Sequence, residues 1–396
     1  MNKKIHIKAN GLADIVTFLK LAPNRRKILN KGIAKKLPTT YKTNEVAAAL
    51  HPKKQVLKVV EKQEISNDTT LFIFNAVEKQ ASYFRAGQYL SLAFDIDGRI
   101  VKRPYSIASS PNEALKNEYR IAIKKVKEGY ISNWATENLN IGDTIEASAP
   151  EGNFYYEPMR DNKTIVGVAG GSGITPFLSL AKAIADKTEI VNLILLYGAR
   201  TIKDLLFKDA FDKLANENSN IKIVYVLSNE KVDKYENGFI TAELIKKYAP
   251  SEFSIFLCGP SAMYNFVGKE IDTLKIEKKN VRFELFGETK NPLIYDDFPK
   301  ELADKYFSIK VNTNESVFDI EAKATETVLV ALERNGIAAP SHCRSGECGF
   351  CRSKLVSGKL FVVPNGDGRR KADKKFGYFH PCSSFPLSNL EIILPI

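Results

Sequence analysis

The 396-residue sequence has no run of 18 or more apolar residues, which excludes a hydrophobic membrane-spanning helix. It also lacks a signal-peptide core: Lys3 and Lys4 are followed by Asn10, Gly11 and Asp14, which break any apolar stretch. A cytoplasmic location is the expectation. Cysteine is scarce. Five residues in so long a chain make no disulfide scaffold, and four of them (Cys343, Cys348, Cys351 and Cys382) crowd into the last 54 positions. There is no internal repeat. Acid is nearly missing from residues 1–58, which hold 14 Lys+Arg against 2 Asp+Glu, whereas the remainder holds 44 of each. The net charge of +12 therefore belongs to a short N-terminal extension, not to the body behind it. What remains, 44% hydrophobic and 26% charged, is ordinary for a globular chain of two to four domains.

The pattern changes three times along the chain. Residues 1–55 read as short helical pieces: Leu12, Ile15, Val16 and Leu19 have helical spacing, Pro23 interrupts, and Arg25–Lys36 is strongly basic. Residues 56–161 hold short β-type runs such as QVLKVVEKQEI, TTLFIFNA, QYLSLAFDI, EYRIAIKKV and DTIEASA, whose spacing predicts an antiparallel barrel. Residues 162–288 alternate buried-type strands (TIVGVAG, EIVNLILLYGA, IKIVYVLS, SIFLCG, VRFELFG) with helical segments, the mark of a parallel α/β sheet. A polar, proline-containing linker spans 289–303. From 304 to 396, YFSIKVN and SVFDIEA predict a hairpin and TETVLVALERNG a helix ending at Gly336, before the cysteine-rich loop.

The strongest chemical signal is Cys343-x4-Cys348-x2-Cys351 with Cys382 thirty-one residues on. Four thiolates at this spacing match the plant-type [2Fe-2S] arrangement, and Gly346 and Gly349 let backbone amides approach the cluster sulfurs. A zinc site is the alternative, but it favours paired C-x2-C knuckles. His342 and His380 flank a ligand set that four cysteines already complete. The second signal is Gly170-Gly171-Ser172-Gly173-Ile174-Thr175-Pro176, set between the strand TIVGVAG and the helix PFLSLAKAI. There a diphosphate can lie against backbone N–H groups at a helix N-terminus, unless the turn is merely structural. No GK[ST] follows, so a triphosphate loop is excluded. The third is Arg103-Pro104-Tyr105-Ser106: an arginine for phosphate, a ring to stack on a heterocycle and a hydroxyl for its edge, or simply a strand end. Gly129 and Ser132 offer a second short phosphate-type loop.

Taken in order, R-x-Y-S, G-x-x-S, GGSGITP, YGAR, CGP, E-x-F and the cysteine motif resemble the ferredoxin–NADP reductase family. The likeness is to fused reductases with a C-terminal [2Fe-2S] domain, such as those serving phenylacetate-type and vanillate-type oxygenases, and it covers about residues 56–396. The resemblance implies a β-barrel flavin domain, an α/β nicotinamide domain and an α+β domain of β-grasp type for the cluster. It further implies that Arg103, Pro104, Tyr105 and Ser106 hold the flavin, with Ser106 near its reactive edge, and that Gly129 and Ser132 take its phosphate. Gly170, Gly171, Ser172, Gly173 and Thr175 would cradle the dinucleotide. Cys258, Gly259 and Pro260 would lie beside the nicotinamide, although a buried inert Cys258 is the alternative. Glu284 and Phe286 would lie near the flavin, and Cys343, Cys348, Cys351 and Cys382 would hold the cluster.

A nicotinamide gives two electrons as hydride and the cluster takes one at a time, so a flavin must stand between them. No G-R-G-G-S loop is present, and KEGYISNW looks like the FAD branch. Ser228-Asn229-Glu230 stands where NADP-selective members tend to have a Ser-Arg pair, which favours NADH over NADPH, with Arg200 and Lys231 nearby. The expected partner is a separate electron-acceptor protein, either an oxygenase or an anaerobic redox partner. The alternatives are direct reduction of a quinone, metal complex or corrinoid, and attachment of the basic residues 1–55 to an anionic surface, with nucleic acid less expected. The basic segment PNGDGRRKADKKFGYF is either a solvated loop or a docking surface for an acidic partner.

Overall fold

The computed structural model describes residues 11–32, 40–77, 80–126, 129–285, 287, 289, 291–364 and 367–395. It divides into two compact units, 1–49 and 50–396. The first unit carries α1 (Leu12–Gly32) and α2 (Lys42–Leu50). Pro23 lies inside α1 and does not interrupt it, contrary to the expectation. Proline removes one backbone donor, but its fixed φ suits a helix, and the flanking Leu, Ala, Lys and Arg residues are good helix formers. Leu12, Ile15, Val16 and Leu19 are all exposed.

In the second unit, β1 (Gln55–Ser66), β2 (Thr69–Ala76), β3 (Tyr89–Ile96), β4 (Arg99–Ser106), β5 (Tyr119–Lys124) and β6 (Thr144–Ala147) form an antiparallel sheet in the order β4-β3-β6-β1-β2-β5. A bridge between Ile107 and Ile121 brings its two edges together. The β3–β4 hairpin turns on Asp97 (φ 53°) and Gly98 (φ 76°), the two positive-φ positions that a two-residue hairpin needs. The sequence reading reached β4 only as a strand end at Arg103–Ser106. Three cations and Pro104 hide it, and proline is accommodated because β4 is the first strand of the sheet. Two short helices, α3 (Pro111–Leu115) and α4 (Tyr130–Asn138), flank the barrel.

Next, β7 (Thr164–Gly170), β8 (Asn192–Ala199), β9 (Ile221–Leu227), β10 (Glu236–Asn237), β11 (Ser254–Cys258) and β12 (Val281–Glu284) form a wholly parallel sheet in the order β10-β9-β8-β7-β11-β12. Its connections include α5 (Thr175–Ala185), α6 (Lys208–Glu217), α7 (Ala242–Tyr248) and α8 (Ser261–Thr273). Strand order reverses between β7 and β11, so their carboxyl ends open a crevice, the usual ligand position in such sheets. The barrel is fastened to this sheet by buried polar contacts. Arg282 of β12 pairs with the fully buried Asp161 and donates to the carbonyls of Asn153 (2.8 Å) and Tyr155. Ser179 of α5 donates to Ser109 O at 2.7 Å, and Lys182 pairs with Glu113 of α3.

The last part carries a mixed sheet of β13 (Tyr306–Asn312), β14 (Val317–Lys323), β15 (Ser353–Ser357), β17 (Tyr378–Phe379) and β19 (Leu390–Ile393), in the order β14-β13-β19-β15-β17. A small ladder joins β16 (Leu360–Val362) to β18 (Ser384–Pro386). Helix α9 (Val328–Arg334) is capped by Thr327, whose hydroxyl accepts from Val330 N–H, and the chain leaves it through Gly336 at φ 74°. A five-residue α10 (Lys371–Lys375) follows the cysteine loop.

The Arg282–Asp161 pair generates a prediction. Arg282→Met should strip the buried Asp161 of its closest cation, leaving Arg160 at 3.8 Å, and cost up to about 3–5 kcal/mol. Urea unfolding should show the lowered midpoint, and Arg282→Met with Asp161→Asn should regain part of the loss. A single variant as stable as the parent would show that the pair does not hold the seam.

Candidate functional site

At the strand reversal, the carboxyl end of β7 runs into Gly171, whose φ of 54° places it in the left-handed region that glycine tolerates. A Cβ on Gly173 would overlap the Cys258 carbonyl, so the turn packs directly on the end of β11. Gly170 and Gly259 both lie under Met263, where a Cβ would fall 2.6 and 2.7 Å from its sulfur. Ser172 is exposed, and its carbonyl accepts the Thr175 hydroxyl at 3.0 Å. Pro260 caps the N-terminus of α8. The structure thus gathers Gly170, Gly171, Ser172, Gly173, Thr175, Cys258, Gly259 and Pro260 around one crevice with an open backbone rim.

The wall of that crevice is made of neutralised polar groups. Cys258 and Glu284 are register partners in the parallel pair of β11 and β12. The Ser106 hydroxyl crosses from the barrel to donate to Glu284 Oε2 at 3.2 Å. Burial pushes the Glu284 carboxyl well up, with Ser106 acting the other way, and burial followed by Glu284 pushes the Cys258 thiol up. Both shifts favour the protonated forms. The Tyr264 hydroxyl donates to Leu257 O at 2.9 Å and to Glu284 O, tying α8 to both strands. Ser106, Cys258 and Glu284 are therefore brought together. Phe286 lies outside the described residues.

Along β4, Pro104 and Ser106 are buried while Arg103 and Tyr105 alternate with them, half-buried. Tyr105 meets the ring of Phe94 edge-on at 6.3 Å, and Phe94 meets Trp134 of α4. Gly129 is the N-cap of α4, and a Cβ there would strike Ser132 Oγ at 2.5 Å. Ser132 in turn accepts the Val126 N–H at 3.2 Å. Arg103 has a partner the sequence did not indicate. Its guanidinium lies 3.9 Å from Glu333 on α9, and the same carboxylate receives both Nη atoms of the buried Arg344 at 2.6 and 2.8 Å. Burial pushes Glu333 up to about 7 while Arg103 pulls it back.

The four C-terminal cysteines fall into two pairs. Cys351 and Cys382 have their sulfurs 3.4 Å apart. A hydrogen bond with Cys348 pulls the Cys343 thiol down to about 5 and pushes Cys348 up. Two thiols for each of two irons suit the pairs that are present. The loop curls through Arg344 (φ 60°), Gly346 (φ 85°) and Gly349 (φ 70°). It aims Cys348 N–H at Cys343 Sγ (3.4 Å) and Phe350 N–H at Cys348 Sγ (3.5 Å), with the buried Ser345 beside Cys343 as a further donor. Such donors fit a sulfide-bearing cluster. His380 packs beneath: its Nδ1 lies 2.6 Å from Gly346 O, so that nitrogen carries the proton.

The cysteine loop is docked on the crevice. Gly287 N–H donates to Cys343 O at 3.4 Å. His342, stacked on Phe350, places Nδ1 2.7 Å from Glu151 Oε2. Glu151 exchanges both backbone bonds with Tyr89, and a Cβ on the next residue, Gly152, would lie 2.8 Å from the Tyr89 ring and 3.6 Å from Glu284 Oε1. A continuous path of packed groups therefore joins Glu284 to Cys343. Tyr89, Glu151, Gly152 and Glu333 were missed by sequence reasoning. None stands in a motif, and only the fold makes them neighbours.

Three family models match: the oxidoreductase FAD-binding domain over residues 56–156, the oxidoreductase NAD-binding domain over 168–269 and the 2Fe-2S iron-sulfur cluster binding domain over 311–387. The chain is 27% identical over 339 residues to the glycine betaine monooxygenase reductase subunit of Chromohalobacter salexigens, covering 82% of this chain and 91% of that one. It is 34% identical over 251 residues to NADH-cytochrome b5 reductase 1 of Dictyostelium discoideum, covering 61% of this chain and 85% of that one. The solved structure of phthalate dioxygenase reductase superposes with a TM-score of 0.62 at 27% identity, covering 87% of this chain and 98% of that one.

The buried Glu284 has a measurable consequence. Its folded pKa lies above the ordinary value of 4.5, so above that pH the folded protein keeps a proton that the unfolded chain has lost. Its contribution to stability is complete below 4.5 and is lost as pH rises towards the folded value. Glu284→Gln should therefore lose less Tm than the parent between pH 5 and pH 8. Parallel Tm profiles for the two proteins would show that the carboxyl is not held protonated.

Proposed function

The chain belongs to the ferredoxin–NADP reductase family, in the fused form that ends in a plant-type [2Fe-2S] domain, and from that premise we propose that it carries electrons from NADH to a separate acceptor protein, an oxygenase component or an anaerobic redox partner, in the cytoplasm. The observation that carries this reading is the docking of the cysteine loop, through Glu151–His342 and Gly287–Cys343, on the turn that borders Glu284. The relatives include an oxygenase reductase subunit, and no helix among the described residues is long and apolar enough to cross a membrane. We assign the flavin to about residues 56–161, the nicotinamide to 162–288, the linker to 289–303 and the cluster to 304–396.

FAD, when bound, accepts hydride from a nicotinamide and releases its electrons singly to an iron–sulfur centre. The chain's own groups serve binding and alignment. Arg103, Pro104, Tyr105 and Ser106 hold the flavin, with Gly129 and Ser132 at its phosphate. Gly170, Gly171, Ser172, Gly173 and Thr175 receive the dinucleotide, with Gly259 and Pro260 on the facing strand end. Ser106, Cys258 and Glu284 line the place where the two rings meet. Being uncharged, they present dipoles there without a fixed charge, and hydride transfer needs no side-chain acid or base. Cys343, Cys348, Cys351 and Cys382 hold the cluster.

The preference for NADH is supported by the turn after β9. Glu230 accepts the Ile202 N–H at 2.9 Å, and Arg200 is paired with Asp204 at 3.2 Å. A 2′-phosphate there would meet a fixed carboxylate and an arginine that already has an acid partner, with Lys231 and Lys234 as the lysines of the turn.

Two experiments test this function. Purified anaerobically, the protein should contain one FAD, two irons and two acid-labile sulfides. Cys348→Ser should abolish the cluster's visible absorption while NADH still bleaches the flavin; zinc in place of iron, or a flavin that NADH cannot reduce, would overturn the assignment. With ferricyanide as acceptor, kcat/KM should be at least tenfold higher for NADH than for NADPH, equivalent to about 1.4 kcal/mol. Equal efficiency would remove Glu230 from the explanation.

A further inference from the structure

One strongly charged surface remains outside this account. From Arg352 to Phe376 the chain holds eight Lys and Arg against two Asp, whereas residues 304–343 of the same domain hold four Lys and Arg against six Asp and Glu. The excess is local, and its two acids are spent on holding the segment in shape. Asp373, buried, accepts Arg352 Nη1 at 3.0 Å and the Arg370 N–H at 3.2 Å. Asp367 accepts Arg369 Nε at 2.7 Å and pairs with Lys374 at 2.9 Å. Lys371 and Lys375 are exposed and have no acid partner among the described residues. A freely solvated charge run would need none of this internal bracing.

The position of the segment is equally specific. Gly368 rides on the cysteine loop so closely that a Cβ would fall 2.7–2.9 Å from Gly346 O and Glu347. Arg352 directly follows the ligand Cys351 and links the loop to α10 through Asp373. Phe376, which closes α10, is exposed by 58%, and Cys348 of the adjoining cysteine loop is exposed as well. The result is a braced set of cations with an apolar spot, built onto the loop that carries the cluster ligands. We propose that the α10 segment, with Phe376 at its end, is the docking surface for the acceptor, and that the acceptor presents an acidic protein face to it. This rests on the reading of the C-terminal domain as the exit for electrons. The position of the patch against the cysteine loop favours a redox protein over a nucleic acid, because electron transfer requires an acceptor brought close to the cluster, and complementary charge steers such an encounter.

The test uses the intact holoprotein and two haem proteins of opposite charge, the soluble domain of cytochrome b5 (acidic) and cytochrome c (basic). Protein prereduced with stoichiometric dithionite is mixed with each acceptor by stopped flow, so the result does not depend on NADH chemistry. Cytochrome b5 should be reduced faster than cytochrome c at low ionic strength, with a rate constant that falls as salt is raised. Lys371→Glu with Lys375→Glu should lower that constant at least tenfold and flatten its salt dependence; Lys371→Gln with Lys375→Gln should lower it less. Flavin content and cluster absorption should stay unchanged in both variants. An unaltered rate constant in the variants that keep the cluster, or a preference for cytochrome c, would overturn the docking surface. So would tight binding of poly(U) at physiological salt that is lost in the variants while cytochrome b5 kinetics are not. Failure of NADH to reduce the flavin would instead sink the proposed function and leave this result standing.

Discussion

A hydride moves two electrons at once and an iron–sulfur centre takes one, so a chain that joins the two chemistries must hold a nicotinamide crevice and a cysteine loop in register with each other. The structure meets that constraint at one short turn. Glu151 and Gly152 follow the barrel, lie against Tyr89, border Glu284 on one side and receive His342 on the other. The carboxyl ends of β7 and β11, the end of β4 and the cysteine loop are all placed by reference to this turn. Parallel-sheet topology opens the crevice, antiparallel closure presents Ser106 to it, and the C-terminal sheet delivers Cys343.

The two seams of the body are built differently. Between barrel and parallel sheet, Arg282 and Asp161 are buried almost completely and further bonded to backbone carbonyls, so separation would strand charges away from water. Between barrel and cysteine domain, Glu151 and His342 are each about one-fifth exposed, and the Arg103–Glu333 pair is long at 3.9 Å. The flavin and nicotinamide parts are thus joined through a buried ion pair, and the cluster domain through the Glu151–His342 and Arg103–Glu333 contacts.

Much of the fold was legible because periodicity follows burial. The runs TTLFIFNA and TIVGVAG became β2 and β7 because nearly every residue in them is buried, and the helix before Gly336 ended where a left-handed residue was available. What escaped was local pattern overruled by position. β4 looks like a loop because its cations face outward and its proline needs an edge. Helix α8 carries Gly268 and a mixed polar face. Pro23 looks like a break in α1, yet the helix runs through it despite the lost hydrogen bond and the crowding of the preceding turn. For the candidate site, the cysteine spacing and the glycine turn were readable because ligation and close backbone approach dictate residue type. Glu333, Tyr89 and Glu151 were not, since a carboxylate or a phenol that meets its partner only through folding leaves no spacing to detect. Arg103 illustrates the limit: its motif was visible, its contact with α9 was not.

The distribution of charge follows from the same division of labour. At the meeting point of the strand ends, burial favours the protonated forms of Cys258 and Glu284, which opposes fixed side-chain charge where hydride would move. At the cysteine loop, Arg344 is buried, and Glu333 meets it with two hydrogen bonds. Beyond it, the cations of α10 stand exposed and braced by Asp367 and Asp373. Neutral groups in the crevice leave the cofactors to set their own local field. Paired charges at the seam fix the geometry at modest energetic gain. Exposed charges at the rim act over roughly a Debye length of 8–10 Å, where an approaching protein can feel them. Polarity thus rises along the direction in which electrons would leave, and each kind of charge sits where its range of action matches its use.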